Sequence, residues 1–345
     1  MCSRRSQRYN SPVDWPGEKL VIRLWDTVEK GFGGLLRPWQ IRRTGRARID
    51  VRREEQLRLA QTEQDIQDIQ SGRKVFNENG QVIEVSERNG ERSSRDEPFL
   101  TKLVTTAQKN LISREMRSEV NVAKALLNAE ADLQDDPQEP PDRDVDQDWL
   151  YRWRDYASEV SDAELQTLWG RVLAGEVKSP GKFSLRTLEF LRNLSKEEAR
   201  EIEKLAPFVV DAEYVFKGDS SILESEGITL GFLLSLQDLR ILDAQVRGLK
   251  RTLRSTTSDK FLVGLVAYSR VLVITHDDAK RKVAMEVYRL TSLGKEVLQL
   301  GKFVPHEPYL RSIGRTIRNQ GYKVVIARYE QVTETEGRYF DEEEL

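Results

Sequence analysis

Four short amphipathic segments follow one another between residues 148 and 210, and they constrain the fold more than any other feature of the sequence. The first two carry apolar side chains at helical spacing: Trp149, Leu150, Trp153 and Tyr156, then Leu165, Leu168, Trp169, Val172 and Leu173. Ser161 with Glu164, and Ser195 with Glu198, have the spacing of a capping box, which starts a helix by satisfying its first amide groups. Because the joints between the segments are short, residues 148–210 are predicted to form a compact helical bundle.

The rest of the chain predicts a second, smaller α+β part. Residues 135–147 are acidic and rich in proline, so they bury little apolar surface and are expected to be a solvated linker. Residues 211–335 predict an apolar helix, a basic stretch, a strand pair at Val271–Thr275 and Val283–Leu290, and a further helix, an order compatible with a winged-helix-like unit. The remaining predicted segments are a basic amphipathic helical arm over 1–72, a hairpin or loop excursion over 73–98, a helix over 99–134, and a loose acidic tail over 336–345. The predicted class is therefore mainly α with a smaller α+β part.

The composition excludes several kinds of chemistry. Cys2 is the only cysteine, and His276 and His306 are the only histidines, so zinc sites built from Cys and His and most histidine-based acid–base mechanisms are excluded. No glycine-rich phosphate loop and no Gly-x-Ser-x-Gly elbow occurs, and His276-Asp277-Asp278 is expected to be a solvated turn. We therefore predict no catalytic, cofactor-binding or metal-binding residues, no small-molecule substrate, and a protein that is not an enzyme.

Apolar and basic side chains lie next to each other near the start of the chain. Eight arginines stand between Arg37 and Arg58 against three acids, and apolar residues precede them. This composition suits a solvated helix with ion pairs, a helix that binds nucleic-acid phosphates or an anionic membrane surface, or a partner or oligomer interface. The residues predicted to contact a membrane or partner are Leu24, Trp25, Phe32, Leu35, Leu36, Trp39, Arg42 and Arg43.

A second basic stretch lies in the predicted winged-helix-like unit. Its cations would approach nucleic-acid phosphates if the unit binds DNA, although winged helices also serve as protein-contact modules. The residues predicted to contact nucleic acid are Arg247, Lys250, Arg251 and Arg254.

The predicted bundle resembles a known bacterial family. The matching elements are Asp148-Trp149-Leu150, Val160-Ser161-Asp162, Leu168-Trp169-Gly170-Arg171-Val172-Leu173-Ala174-Gly175-Glu176 and Phe183-Ser184-Leu185-Arg186-Thr187-Leu188. They resemble the domain-of-unknown-function 2806 family, to which the Gly31 to Arg43 region also looks similar. The resemblance implies no established activity and an association with bacteria and their mobile elements.

These observations lead to one principal hypothesis and two alternatives. The principal one is a non-enzymatic interaction or regulatory protein that binds another protein or itself, linked by the resemblance to phage defence or mobile elements. The alternatives are a peripheral membrane protein anchored by its N-terminal arm and a DNA-binding regulator. The single cysteine and the lack of a secretory signal or of a spanning apolar stretch predict a cytoplasmic protein, or one peripheral at the inner membrane face.

Overall fold

A computed structural model describes residues 15–32, 48–76, 82–84, 99–218, 220–243, 249–332 and 337–345. The chain divides into two compact units, unit 1 (Met1–Leu188) and unit 2 (Glu189–Leu345). The described residues form eleven α-helices and nine β-strands, all of the strands antiparallel to their neighbours. The predicted class, mainly α with a smaller α+β part, is confirmed.

Unit 1 is helical apart from one short hairpin. Its helices are α1 (Glu18–Phe32), α2 (Arg48–Gln70), α3 (Phe99–Leu133), α4 (Gln147–Ser158) and α5 (Ala163–Lys178), and α6 (Leu185–Asn193) begins at its end. The hairpin strands are β1 (Lys74–Phe76) and β2 (Val82–Glu84), in which Val75 lies opposite Ile83. Residues 77–81, between the two strands of this hairpin, lie outside the described residues.

The core of unit 1 is built where α3 and α5 pack together. Gly170 on α5 permits this approach, because a β-carbon there would lie 2.6 Å from Cβ of Asn128 and 2.9 Å from the backbone nitrogen of Ala129. Trp153 and Trp169 are fully buried beside this contact, and the indole nitrogen of Trp153 donates to the carbonyl oxygen of Trp169 at 3.0 Å. The aromatic residues of the predicted bundle are therefore core residues.

Helix α1 packs into the same core. It contacts α3, α4 and α5. The helix places Leu20, Leu24 and Val28 four residues apart on one face, and each of them exposes at most 2% of its surface. The helix runs through Gly31, which lies against the side chain of Leu150. The start of the described chain is thus part of the scaffold of unit 1.

The acidic segment over 135–147 differs from the solvated spacer that its composition predicted. It has no regular structure, but Glu139 pairs with Lys19 at 2.6 Å and Asp144 pairs with Arg23 at 2.5 Å. Val145 is buried, and Asp146 caps α4 by accepting from the backbone nitrogen of Trp149 at 2.9 Å. The segment is held in place by ion pairs between its acids and cations elsewhere in unit 1. It therefore does not need a large apolar face to be ordered.

Unit 2 contains two antiparallel sheets and short helices. The helices are α7 (Lys196–Leu205), α8 (Ser220–Ser225), α9 (Leu230–Asp238), α10 (Ser292–Leu298) and α11 (Glu307–Arg318). The strands are β3 (Tyr214–Phe216), β4 (Lys250–Arg254), β5 (Phe261–Ala267), β6 (Arg270–His276), β7 (Lys282–Arg289), β8 (Lys323–Gln331) and β9 (Gly337–Glu344). One sheet has the order β3-β7-β4 and the other the order β5-β6-β8-β9, with α11 packed on β6 and β8.

Two expectations for this unit are corrected by the strand pairing. The predicted strands at Val271–Thr275 and Val283–Leu290 exist as β6 and β7, but each pairs with strands of a different sheet. The predicted loose tail contains β9, which pairs with β8 although all eight of its residues are exposed. Arg311 holds it from α11 through bonds of 2.8 and 2.6 Å to the carboxylate of Glu343. Backbone pairing and this ion pair therefore order a segment with no apolar face.

Candidate nucleic-acid interface

Two cations face each other at one end of the β4–β7 ribbon, the pair formed by strands β4 and β7. Arg254, the last residue of β4, lies directly opposite Lys282, the first residue of β7. Like charges at directly opposed positions of an antiparallel pair repel each other and destabilise the pairing. At the other end of the ribbon, Lys250 lies opposite Glu286, so the charges there are complementary.

The two loops that leave this end of the ribbon enclose a basic cleft of about 460 Å³. Its lining contains four cations and three hydroxyl side chains and no carboxylate: Arg254, Lys280, Arg281 and Lys282, with Ser255, Thr257, Ser258 and Ala279. Lysine, arginine, serine and threonine are the side chains that contact phosphate oxygens in nucleic-acid complexes.

Local hydrogen bonds fix the loop that follows β4. The hydroxyl of Ser255 accepts from the backbone nitrogen of Leu262 at 3.0 Å and donates to the carbonyl oxygen of Lys260 at 2.7 Å. Thr257 donates to the same carbonyl oxygen at 2.7 Å. This side of the cleft is therefore held in one shape by its own polar groups.

The turn that precedes β7 is held in a similar way. His276 accepts from the backbone nitrogen of Asp278 through Nδ1 at 2.9 Å, and Asp278 accepts from the backbone nitrogen of Lys280 at 2.9 Å. The guanidinium of Arg281 lies 4.7 Å from the ring centre of Tyr322 and donates to the carbonyl oxygen of Gln320 at 3.1 Å. The solvated turn predicted for His276-Asp277-Asp278 is the turn that the structure places here.

Acids near the cleft do not neutralise its lysines or Arg254. Asp277 and Asp278 lie in the turn before β7, and Asp259 lies in the loop after β4. Hydrogen bonds from the loop backbone and from Thr257 lower the pKa of Asp259, so this carboxylate is engaged within its own loop. In the part of the chain that the structure describes, no carboxylate lies within 4.0 Å of a charged nitrogen of Arg254, Lys280 or Lys282. These three cations therefore have no ion-pair partner among the described residues.

The structure separates the four predicted nucleic-acid contacts. Lys250 and Arg254 are exposed, whereas Arg247 lies outside the described residues. Arg251 forms an ion pair of 2.7 Å with Asp211, and its guanidinium lies 4.3 Å from the ring centre of Tyr214. Arg251 is therefore paired within the unit, and its contact with phosphate stays a prediction.

Sequence reasoning missed Lys280 and Lys282. They are far from Arg254 along the chain, and they become its neighbours only through the pairing of β4 with β7. The signal that could have found them is the register, since placing Leu253 opposite Val283 on the buried face also places Arg254 opposite Lys282.

Helix α9 presents a different kind of surface. Thr229 caps it by accepting from the backbone nitrogen of Phe232 at 3.3 Å, and α9 follows α8 after a short turn. Leu230 and Leu234 are each 44% exposed, and the helix contains no lysine or arginine. Its surface is therefore apolar and uncharged except for Asp238.

In unit 1, the last turns of α5 hold a loop through a buried carboxylate. Glu176 is 1% exposed, and its two oxygens accept from the backbone nitrogens of Gly181 at 2.5 Å and Phe183 at 3.0 Å. The carbonyl oxygen of Phe183 accepts in turn from the indole nitrogen of Trp149 at 2.7 Å. Glu176 is therefore buried as the internal acceptor of the loop that follows its helix.

Comparison with known proteins gives one match. Residues 107–223 match the model of a family described as Protein of unknown function (DUF2806). This part of the chain is similar to that family. No curated protein and no solved structure matches the chain. The resemblance predicted from Asp148 to Ala199 is confirmed, and the region Gly31 to Arg43 lies outside the match.

The DUF2806 match contains α4 and α5, the loop that Glu176 holds, and the buried residues Trp153 and Trp169. The motif that carries the family resemblance therefore has a structural role. The basic cleft lies after the DUF2806 match in the chain. The family resemblance therefore assigns no role to the cleft.

The predicted membrane or partner contacts of the N-terminal arm lie in two places. Leu24, Trp25 and Phe32 are 0%, 6% and 9% exposed inside unit 1, so they do not form the exposed apolar surface that the sequence suggested. The others lie outside the described residues and stay predictions: Leu35, Leu36, Trp39, Arg42 and Arg43.

Among the described residues, no helix is both long and apolar enough to cross a membrane. No group of three or more His, Cys, Asp or Glu side chains among them is arranged to hold a metal ion.

The buried carboxylate predicts a pH dependence of stability. Burial raises the pKa of Glu176 above its ordinary value near 4.5, although the amides of Gly181 and Phe183 oppose the shift. The pKa of Glu176 is therefore higher in the folded state than in the unfolded state. Its contribution to the free energy of unfolding is complete below the unfolded-state pKa and is lost as the pH rises through the folded-state pKa. The stability advantage of wild type over Glu176→Gln should therefore be smaller at neutral pH than near pH 4.5. Urea unfolding at both pH values measures it, and an advantage that grows toward neutral pH would contradict this assignment.

Proposed function

We propose that this chain is a non-enzymatic regulatory protein whose unit 2 binds nucleic acid through the basic cleft. One observation carries the proposal: Arg254 lies opposite Lys282, next to Lys280, and no carboxylate among the described residues pairs with them. Uncompensated cations at directly opposed positions weaken the ribbon, and a bound phosphate would relieve that repulsion. We expect the contact to be electrostatic and sensitive to salt.

The order of elements in unit 2 supports the proposal. Along the chain, the unit contains α7, β3, α8, α9, β4 and β7 in that order. Within their sheet, the three strands are arranged in the order β3-β7-β4. This is the order expected of a winged-helix-like unit. Strands β5 and β6 are inserted between β4 and β7, where such a unit carries its wing, and the basic cleft lies at the base of this insertion.

The cellular setting is also a proposal. A link to phage defence or mobile elements is supported by the family resemblance alone, and a cytoplasmic site of action by the single cysteine. A nucleic-acid contact is compatible with both.

Charge reversal at the cleft provides the test. Fluorescence anisotropy of a labelled short DNA duplex should report binding by the full chain, and the double variant Arg254→Glu/Lys282→Glu should bind at least about tenfold more weakly because phosphate contacts are lost. The matched control is Arg200→Glu/Arg315→Glu, which changes the net charge equally at two exposed cations outside the cleft. The control should bind within about twofold of wild type, since long-range charge effects are screened at physiological salt.

Two results would contradict the proposed function. One is wild-type protein that does not bind the duplex at low salt. The other is equal weakening by the cleft variant and the control, which would make the effect one of net charge. Circular dichroism of both variants checks that unit 2 retains its strands.

A further inference from the structure

We infer that the basic cleft binds the phosphate backbone of nucleic acid and does not read base sequence. This inference rests on the proposed function and specifies the ligand of the same site. It depends on which side chains in unit 2 are free to make directional contacts and which supply charge alone.

Helix α9 occupies the position of a reading helix but lacks the side chains for reading. Base edges are read mainly by arginine or lysine on guanine and by asparagine or glutamine on adenine. The exposed side chains of α9 include Leu230, Leu234 and Asp238, and none of them donates a hydrogen bond. The carboxamide oxygen of Gln237 is buried, so this side chain is not displayed for an adenine contact.

The charge near α9 also disfavours DNA. Asp238 lies at the end of the helix, and Ser235 donates to the carboxylate of Glu201 on α7 at 3.0 Å. Phosphates repel carboxylates, so a duplex approaching unit 2 is attracted to the cleft and not to α9. Cations also lie near this helix, Lys204 over the ring of Phe232 and the exposed Arg240 after its end, but they are accompanied by these carboxylates.

The cations of the cleft are suited to phosphate. Lys280 and Lys282 are point charges without the planar fork that recognises a base edge. Arg281 has such a fork, but it stacks on Tyr322 and donates to the carbonyl oxygen of Gln320. Arg254 remains, beside the hydroxyl group of Ser258, whereas the hydroxyls of Ser255 and Thr257 already donate to the carbonyl oxygen of Lys260. One free arginine among lysines and hydroxyls fits backbone contacts.

The number of free cations sets the expected salt dependence. Arg254, Lys280 and Lys282 together should neutralise about three phosphates, which gives a slope of about −2.7 for log affinity against log salt concentration. Affinity should then fall about 40-fold between about 50 and 200 mM salt. The Arg254→Glu/Lys282→Glu variant keeps one of these cations, and its affinity should fall only about fourfold over the same range.

The test compares unrelated sequences. Anisotropy is measured on the full chain with an A·T-rich and a G·C-rich duplex of equal length, and with vesicles containing phosphatidylserine as a third arm. We expect affinities for the two duplexes within about threefold and parallel salt slopes, because phosphate contacts do not depend on sequence. The charge-reversed variant should lose slope equally on both duplexes.

The outcomes separate the two claims. A difference of more than about tenfold between the duplexes would overturn the inference and leave the proposed function intact, since mismatched base contacts cost that much. Absence of binding to both duplexes would overturn the proposed function itself. Binding to the vesicles alone would identify the ligand as lipid phosphate and would also overturn both.

Discussion

Replacing Leu24 with alanine is expected to lower the free energy of unfolding of unit 1 by about 3 kcal/mol. Leu24 is completely buried in the core that α1 forms with α3, α4 and α5, so truncation leaves a cavity as well as removing apolar contact. All six tryptophans precede residue 189, so intrinsic fluorescence during urea unfolding of the full chain reports on unit 1.

Ile22→Ala is the matched control on the same helix. Ile22 is 54% exposed, and its truncation should change the free energy of unfolding by less than about 1 kcal/mol. If the two variants were equally stable, α1 would not be packed in the scaffold, and the early part of the chain would be available as the contact arm that the sequence suggested.

Replacing Glu176 with alanine is expected to cost unit 1 about 3 kcal/mol. The change leaves the backbone nitrogens of Gly181 and Phe183 without the carboxylate that they donate to inside the protein. The loss should extend to Trp149, whose indole donates to Phe183, so its fluorescence should change even below the unfolding transition. Urea unfolding followed by tryptophan emission measures both effects.

Glu164→Ala is the control for this variant. Glu164 lies in the first turn of the same helix and is exposed, so its loss should cost less than about 1 kcal/mol. A Glu176→Ala variant as stable as the control would show that the loop finds other partners, and that the carboxylate does not hold it.

The helices could be predicted from sequence because their signals are local. The capping box at Ser195 and Glu198 is present, with both of its hydrogen bonds, and the helix predicted over 99–134 runs from Phe99 to Leu133. At the second predicted capping box the helix begins one residue later, because Asp162, not Ser161, accepts from the first amide groups. Helical periodicity and capping act within a few residues, so sequence order is enough to read them.

What sequence could not predict depends on contacts between distant residues. The apolar face of α1 has the same composition whether it contacts a membrane or a protein core. Its burial in the core of unit 1 depends on its packing against α3, α4 and α5, which are distant in sequence. The acidic segment was expected to be a spacer because its stabilising cations, such as Lys19 and Arg23, lie more than a hundred residues earlier.

The candidate site was predicted only in part for the same reason. Arg251 looked free until the fold brought Asp211 beside it, and Lys282 became a neighbour of Arg254 through strand register. A basic stretch in a sequence therefore indicates charge but not which of its members remain unpaired.

The most direct measurement is hydrogen–deuterium exchange of the full chain with and without a short duplex. If the cleft is the contact surface, peptides that contain residues 254–260 and 277–282 should gain protection, while peptides from α1 and α9 should exchange as in the free protein. Protection confined to α9 or to the first 70 residues, with the cleft peptides unchanged, would contradict the account.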